Sequence, residues 1–482
     1  MSKLINEFSM LMKKIKFLIL SLLLISCNKS DHTNFIVIFL DDMGYGDLSS
    51  YGHPTIKTPN LDKMSNEGQK WTQFYSASSV CTPSRAGLLT GRLPIRNGMI
   101  GSDNNSYRVL FPDSEFGLPE SEITIAEKLK EVGYSSVAIG KWHLGHRKQY
   151  LPLNNGFDYY FGIPYSNDMD ALKSGIGCCV GQSYWAQYDQ KELNSRNYNV
   201  PLLENNDIIE RPADQTTITK RYSEKVVEYI KKNKNNKFFI YLAHSLPHIP
   251  LYASKDFLGS SEAGLYGDVI EEIDHGVGMI MEELKKQNLD ENTMIVFTSD
   301  NGPWLPFKTH GGSAGLLREG KGTTWEGGQR VPAIFWGAGI NPGTISGLGS
   351  TLDILPTFVE ISGAEKINDR ILDGYSLKNT LIDGEPSPRD EMIFYRNREI
   401  YAIRKGEYKA HYITQGAYDY PEKTEIIILE KPLLYNLNND PSEKFDISKQ
   451  HPDILDKIEL IGIRHKKSVK FKEDLLKYRK KK

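Results

Sequence analysis

The feature that most constrains this chain is a recurrence: apolar runs of strand-like composition each end in ionisable side chains. FIVIFLDD ends in Asp41 and Asp42, SSVAIGKWH in Lys141 and His143, KFFIYLAHSLPH in His244 and His248, and TMIVFTSDN in Asp300 and Asn301. Amphipathic helical patterns lie between such runs, among them TIAEKLKEVG and YSEKVVEYIKKN. This alternation over residues 33 to about 365 predicts an α/β fold with a mostly parallel sheet flanked by helices on both faces. In such a sheet the carboxyl ends of the strands share one edge, and sites form beyond it. Taken singly, an Asp-Asp or Asp-Asn after a strand reads as a turn or a helix cap, and a lone His as a satisfied structural group. Four strands that deliver reactive groups to the same edge point instead to chemistry.

Asp41, Asp42, Asp300 and Asn301 offer only hard oxygen donors, which suits calcium or magnesium rather than zinc. Lys141, His143, His248 and Lys321, the last in GKGTTWEGG, form a cationic and proton-transferring half. A divalent ion facing several cations suits a tetrahedral oxyanion, phosphoryl or sulfuryl, whose chemistry is largely positioning and charge stabilisation. In VCTPSRAGLLTGR, Pro83 near a helix start and Ala86, Leu88 and Leu89 on an apolar face place Cys81 at a helix N-terminus, with Gly91 as the stop. The backbone N–H groups there favour negative charge, and Arg85 returns along the same helical face. Placement alone leaves Cys81 open as a reactive thiolate or a structural free cysteine.

The 482 residues are 39% hydrophobic and 25% charged, which fits a large α/β domain with a small appendage. A net charge of -2 gives no generic affinity for nucleic acid, so an anionic substrate has to be met by local cations. Near the start, MKKIKFLILSLLLISC joins a basic segment (Lys13, Lys14, Lys16) to an apolar run shorter than the roughly 20 residues that span a bilayer. It resembles a bacterial lipoprotein signal. That resemblance implies lipidation of Cys27, a membrane anchor, and an over-extended start in residues 1–11. An ordinary cleaved signal peptide is the alternative, and both predict export, to the periplasm or the cell surface. The other cysteines, Cys81, Cys178 and Cys179, make no disulfide framework. Cys178-Cys179 reads as a plain loop, with a vicinal disulfide as the alternative.

Cys81-Thr82-Pro83-Ser84-Arg85 followed by AGLLTGR resembles the signature of type I sulfatases, in which a maturation enzyme oxidises the cysteine to formylglycine. The resemblance extends through DDMGYGDLSSYG, GKWHLG, GIPYSND, HIPLYASKDF, SDNGP and GKGTTWEGG. YAIRKGEYKAHYITQG and LLYNLNNDPSEKFDI are similar to the C-terminal part of arylsulfatase A and N-acetylgalactosamine-6-sulfatase relatives. It implies an alkaline phosphatase-like fold and hydrolysis of a sulfate ester on a carbohydrate, derived from a polysaccharide. Asp41, Asp42, Asp300 and Asn301 would be calcium ligands, joined by the formylglycine oxygen at Cys81. One hydroxyl of the hydrated aldehyde would attack sulfur and displace the alcohol, and the second would then expel sulfate. Arg85 would hold the diol, and Lys141 and Lys321 would grip sulfate oxygens. His143 would take the proton that triggers release, and His248 would bind substrate and donate to the leaving oxygen. His248 is preferred to His244 for its HIP context, with His244 supporting from behind. His411 and Tyr418 are candidate substrate contacts on the rim.

Two other functions fit parts of the pattern. A formylglycine-dependent phosphodiesterase or phosphonate hydrolase shares the fold, but such relatives present Asp-His where this chain has Asp300-Asn301. A non-catalytic lipoprotein that binds sulfated glycans would not need Cys81, Arg85, Lys141, His143, His248 and Lys321 intact. The chain divides into a signal segment (1–27), a catalytic α/β domain (28–375), a small α+β subdomain (376–465) and a solvated, partly helical basic tail (466–482). The Asp-, Gly- and Pro-rich stretch 366–390 reads as the connection. MIFYRN, IYAIRKG, YKAHYI and PDILDKIELIGIR predict a small antiparallel sheet with a helix.

Overall fold

The computed structural model describes residues 32–101, 108–171, 197–417 and 425–480, with Met1 and Met10. Cys27, the Cys178-Cys179 pair and Tyr418 lie outside the described residues. Among the described residues, no helix is long and apolar enough to cross a membrane.

Ten strands form the main sheet: β1 (Asn34–Leu40), β2 (Gln69–Tyr75), β3 (Ser135–Gly140), β4 (Tyr159–Gly162), β5 (Leu202–Glu204), β6 (Asp207–Glu210), β7 (Phe238–Ala243), β8 (Thr293–Ser299), β9 (Arg330–Trp336) and β10 (Gly343–Ser350). Their spatial order is β10-β2-β9-β8-β1-β7-β3-β4-β5-β6. The block β8-β1-β7-β3-β4 is parallel throughout. On one side β9 runs antiparallel between β8 and β2, and on the other β5 and β6 close the sheet antiparallel.

Every position of β1 is buried, as a parallel strand covered on both faces requires. Its side chains alternate between two cores. Ile36, Ile38 and Leu40 join Tyr222, Val226, Ile273 and Val277, from the helices Ile218–Asn233 and Gly264–Lys286. Phe35, Val37 and Phe39 join Leu88, Leu89, Leu129 and Phe358, from the helices Cys81–Thr90, Ile125–Lys130 and Ile354–Ser362. The Ile125–Lys130 helix starts with a capping box, Thr124 and Glu127 each satisfying the other's backbone N–H.

The C-terminal sheet is an antiparallel meander of β11 (Glu391–Arg396), β12 (Glu399–Lys405), β13 (Tyr408–Thr414) and β14 (Ile427–Asn436). The helix Pro452–Ser468 buries Ile458 and Ile461 against Ile403, Ala410 and Leu434. The stretch expected as a solvated tail behaves otherwise. Residues 466–468 finish that helix, and the following segment crosses back to the main domain. Leu475 N–H donates to Gly98 O at 3.0 Å, Lys480 N–H to Asp113 O at 2.9 Å, and Leu476 is fully buried. Charge dominates the composition there, but sparse apolar residues decide the packing.

A buried charge cluster joins the two sheets. Glu326 accepts from Tyr75 Oη at 2.5 Å, Lys409 Nζ at 2.9 Å and Arg330 Nη1 at 3.3 Å, and its own N–H donates to Glu443 at 2.7 Å. Glu443 also meets Lys409 at 3.2 Å. Burial would raise the Glu326 carboxyl, but Lys409, Arg330 and Arg404 outweigh it and hold the group down at about 2. A depressed carboxyl contributes stability above its ordinary pKa of 4.5, and that contribution is lost as pH falls toward 2. Glu326→Gln should therefore cost about 3 kcal/mol at pH 7. In denaturant titrations at a series of pH values, the gap between variant and wild type should narrow as pH falls through that window.

Candidate active site

The parallel block places the predicted groups together because adjacent strands end at one edge. Asp41 and Asp42 follow β1, Asp300 and Asn301 follow β8, Lys141 and His143 follow β3, and His248 follows β7. Asp42 and His143 take left-handed φ of 65° and 56°, which turns the chain sharply as it leaves each strand. Gly140 ends β3 at φ 108°, and a Cβ there would fall 1.8 Å from Ala243 O on β7. Only glycine lets the backbone carrying Lys141 approach so closely. Cys81 is the first residue of its helix and Val80 the extended residue before it.

Positive and negative groups interleave in the site. Asp41 meets Lys141 Nζ at 2.5 Å, and Asp42 meets Lys321 Nζ at 2.7 Å. The fully buried Arg85 donates to Asp300 Oδ2 from Nε at 3.1 Å and from Nη2 at 2.8 Å, and its Nη1 caps Lys141 O at 2.8 Å. Cys81 Sγ donates to Asp41 Oδ1 at 3.3 Å. Asn301 Nδ2 donates to Asp42 Oδ1 at 2.7 Å, whereas its Oδ1 is buried without a partner. Ligand atoms of Asp41, Asp42, Cys81 and His248 all lie within 4.8 Å of one another. Three crowded carboxylates and an orphaned amide oxygen fit a hard divalent cation.

Electrostatics sorts these groups. Burial would raise Asp41, but Lys141, His248, Arg85 and Lys321 hold it well below the usual carboxylate range. Burial and the neighbouring Asp41 charge push Asp300 up to about 7 despite Arg85. Burial, then the Asp41 carboxylate, push the Cys81 thiol well up. Both effects favour the neutral thiol of an unmodified Cys81. Burial keeps His143 and His248 well below the usual imidazole range, helped by Lys141 and by Lys321 respectively.

Each ring has a defined tautomer. His143 Nε2 donates to Leu110 O at 2.8 Å, which leaves Nδ1 as a buried acceptor without a partner. His248 Nδ1 donates to Ile249 O at 2.5 Å, which leaves Nε2 facing Asp42 at 3.5 Å.

The structure thus brings Asp41, Asp42, Cys81, Arg85, Lys141, His143, His248, Asp300, Asn301 and Lys321 into one site. His244 stands apart, its ring beside Tyr222, and burial takes it down to about 3. His411, expected on the rim, is 0% exposed, donates to Glu443 at 2.7 Å and stacks on Trp325 at 4.1 Å, where it packs the join between the sheets. Sequence reasoning passed over Ser166, whose Oγ accepts from Lys141 Nζ at 3.0 Å. The signal was GIPYSND, a polar cluster just after β4.

Comparison with known proteins agrees with this geometry. Residues 33–364 match the Sulfatase family model, and residues 387–482 match that of the C-terminal region of aryl-sulfatase. Arylsulfatase A of Homo sapiens is 39% identical over 438 residues, which cover 86% of this chain and 83% of that protein. N-acetylgalactosamine-6-sulfatase of Canis lupus familiaris is 36% identical over 471 residues, covering 90% and 86%. The crystal structure of Ps i-CgsB in complex with k-i-k-neocarrahexaose superposes with a TM-score of 0.74 at 30% identity, covering 92% of this chain and 94% of that one.

The close approach at Gly140 yields a measurable expectation. Gly140→Ala should destabilise the protein by at least ~2 kcal/mol in chemical denaturation, since the added methyl displaces backbone in the centre of the sheet. Gly133→Ala is the control: its φ is 84° but no atom lies within 4 Å of the new Cβ. That variant should lose only about 1 kcal/mol.

Proposed function

The chain belongs to the sulfatase family, and from that membership we infer that it hydrolyses the sulfate ester of a carbohydrate with an oxidised Cys81 and a bound calcium ion. The observation that carries this reading is Cys81 itself, at a helix N-terminus among three carboxylates, Arg85, two lysines and two histidines of fixed tautomer. The oligosaccharide complex of a similar enzyme supports a sugar substrate.

Formylglycine at residue 81 would supply two hydroxyls in its hydrated form, one to displace the sugar from sulfur and one to release sulfate. Calcium, held by Asp41, Asp42, Asp300 and Asn301, would supply positive charge against the sulfate oxygens.

The remaining residues have roles that follow from their contacts. Lys141 and Lys321, each neutralising one aspartate, stand ready to share their charge with an incoming sulfate. That anion offsets the Lys321 charge that adds to burial in keeping His248 neutral, so Nε2 can carry the proton it hands to the bridging oxygen. Without that proton the leaving alkoxide is poor. His143 Nδ1, an acceptor without a partner, is suited to take the proton released as sulfate departs. Arg85, locked by Asp300, holds the base of the site rigid.

The same reading includes a formylglycine-generating maturation enzyme as partner, export, and a lipid anchor at Cys27.

Two measurements test it. The mass of the tryptic peptide containing residue 81, from a host with a maturation enzyme, should show aldehyde in place of thiol; a fully active preparation with only cysteine there overturns the mechanism. Cys81→Ser should give at most one turnover on an aryl sulfate and accumulate a stable sulfate adduct on residue 81, because serine lacks the second hydroxyl. Sustained turnover by that variant would mean that water attacks sulfur directly. Preference for a phosphate diester over every sulfate ester would assign the site to phosphoryl chemistry instead.

A further inference from the structure

Two buried polar atoms beside the lysines and histidines of the site lack partners. Asp168 is 2% exposed; its carboxylate is hydrogen-bonded to Ser166, but its Oδ1 has no hydrogen bond. Trp304 is 6% exposed, and its Nε1–H has none. Buried polar atoms are nearly always paired, so an orphan at a site calls for a ligand that completes it.

Both groups are tied to residues that handle the ester. The Trp304 ring lies 5.3 Å from the His248 ring, and Lys321 Nζ sits 4.0 Å from its centroid. Phe307 packs against the same indole at 4.6 Å and fixes it. Asp168 closes the turn Ser166-Asn167-Asp168, in which Met169 N–H returns to Ser166 O at 3.2 Å. Ser166 Oγ holds Lys141 Nζ at 3.0 Å, and Asn167 Nδ2 reaches Pro250 O at 3.1 Å, next to the His248 loop. The Asp168 carboxylate feels both Lys141 and Lys321, and burial pushes its pKa up to about 6.

The chemistry narrows what could fill these positions. A carboxylate repels sulfate oxygens, so Asp168 is not part of the anion grip; it needs a donor. Trp304 Nε1–H needs an acceptor. A ring bearing hydroxyls offers both at once, whereas a bare aryl group offers neither.

We propose that Asp168 and Trp304 select a carbohydrate as the leaving group, Asp168 accepting a hydrogen bond from a hydroxyl of the sugar that carries the sulfate and Trp304 Nε1–H donating to another oxygen of that sugar. This rests on the assignment of the site as a sulfatase. Neither residue touches the reacting sulfur; both determine specificity. A site built to bond a hydroxyl discriminates strongly against a substrate that lacks it, because its buried groups are then left unpaired.

The test compares 4-nitrophenyl sulfate with galactose 6-sulfate, N-acetylgalactosamine 6-sulfate and glucose 6-sulfate. For the sugar that wild type hydrolyses fastest, the ratio of its kcat/KM to that of the aryl ester should fall about 10-fold or more in Asp168→Ala and in Trp304→Phe, chiefly through KM. Trp304→Phe keeps an aromatic ring under Lys321 while removing the donor, so it decides the matter if Asp168→Ala fails to fold. A structural residue would lower the unfolding midpoint and depress both substrates alike. A ratio unchanged within about twofold overturns the proposal, as does a wild type that cleaves the aryl ester and none of the sugars. A wild type that cleaves no sulfate ester overturns the sulfatase assignment as well.

Discussion

The structure depends on how three carboxylates are kept in a space closed to water. Asp41, Asp42 and Asp300 are all buried, and their mutual repulsion would force one of them to protonate if nothing opposed it. Lys141, Lys321 and Arg85 oppose it, and Arg85 spans the most of the site. Its guanidinium takes Asp300 through two nitrogens, lies 3.5 Å from Asp41, and caps the carbonyl of Lys141. One side chain thereby ties the helix that begins at Cys81 to the ends of β8, β1 and β3. Removing a partner from a buried pair costs several kcal/mol, because the survivor is left charged and dry. The register of the parallel block and the charge pattern of the site are for this reason one constraint.

That constraint explains what could be read from sequence. Strand, turn and charge coincide at Asp41, Lys141, His248 and Asp300, so the local pattern carries the global arrangement with it. The margins of the two sheets were harder to see. β10 pairs with β2 across more than half of the chain, and only three of its eight positions are buried at the edge, which blurs its apolar signature. β14 likewise carries exposed isoleucines and shows little alternation. His411 illustrates a different limit. A histidine in a rim-like segment has the same local sequence whether it faces solvent or a buried glutamate. Glu443, which decides the matter, stands 32 residues away.

Ser166 and Asp168 were invisible for a related reason. GIPYSND carries part of the family resemblance, but its composition is that of a polar turn, and what gives its side chains a role is that Lys141, at the end of the neighbouring strand, reaches Ser166. Residues of this kind become legible only when the hydrogen-bond partners of each buried atom are accounted for. The same accounting gives His143 and His248 their different tautomers, which composition could not assign.

The returning C-terminal segment sets an order in time. Arg479 pairs with Asp113 at 2.6 Å and Lys480 with the Asp113 carbonyl, bracing the stretch from Leu110 to Ser114. Leu110 supplies the carbonyl that fixes the His143 ring. A polypeptide is synthesised from its amino end, so this brace is delivered after every other part of the site. The orientation of one imidazole thus waits on residues 475–480, and a chain released before them would hold the charges of the site in place while leaving unbraced the wall that aims its proton acceptor.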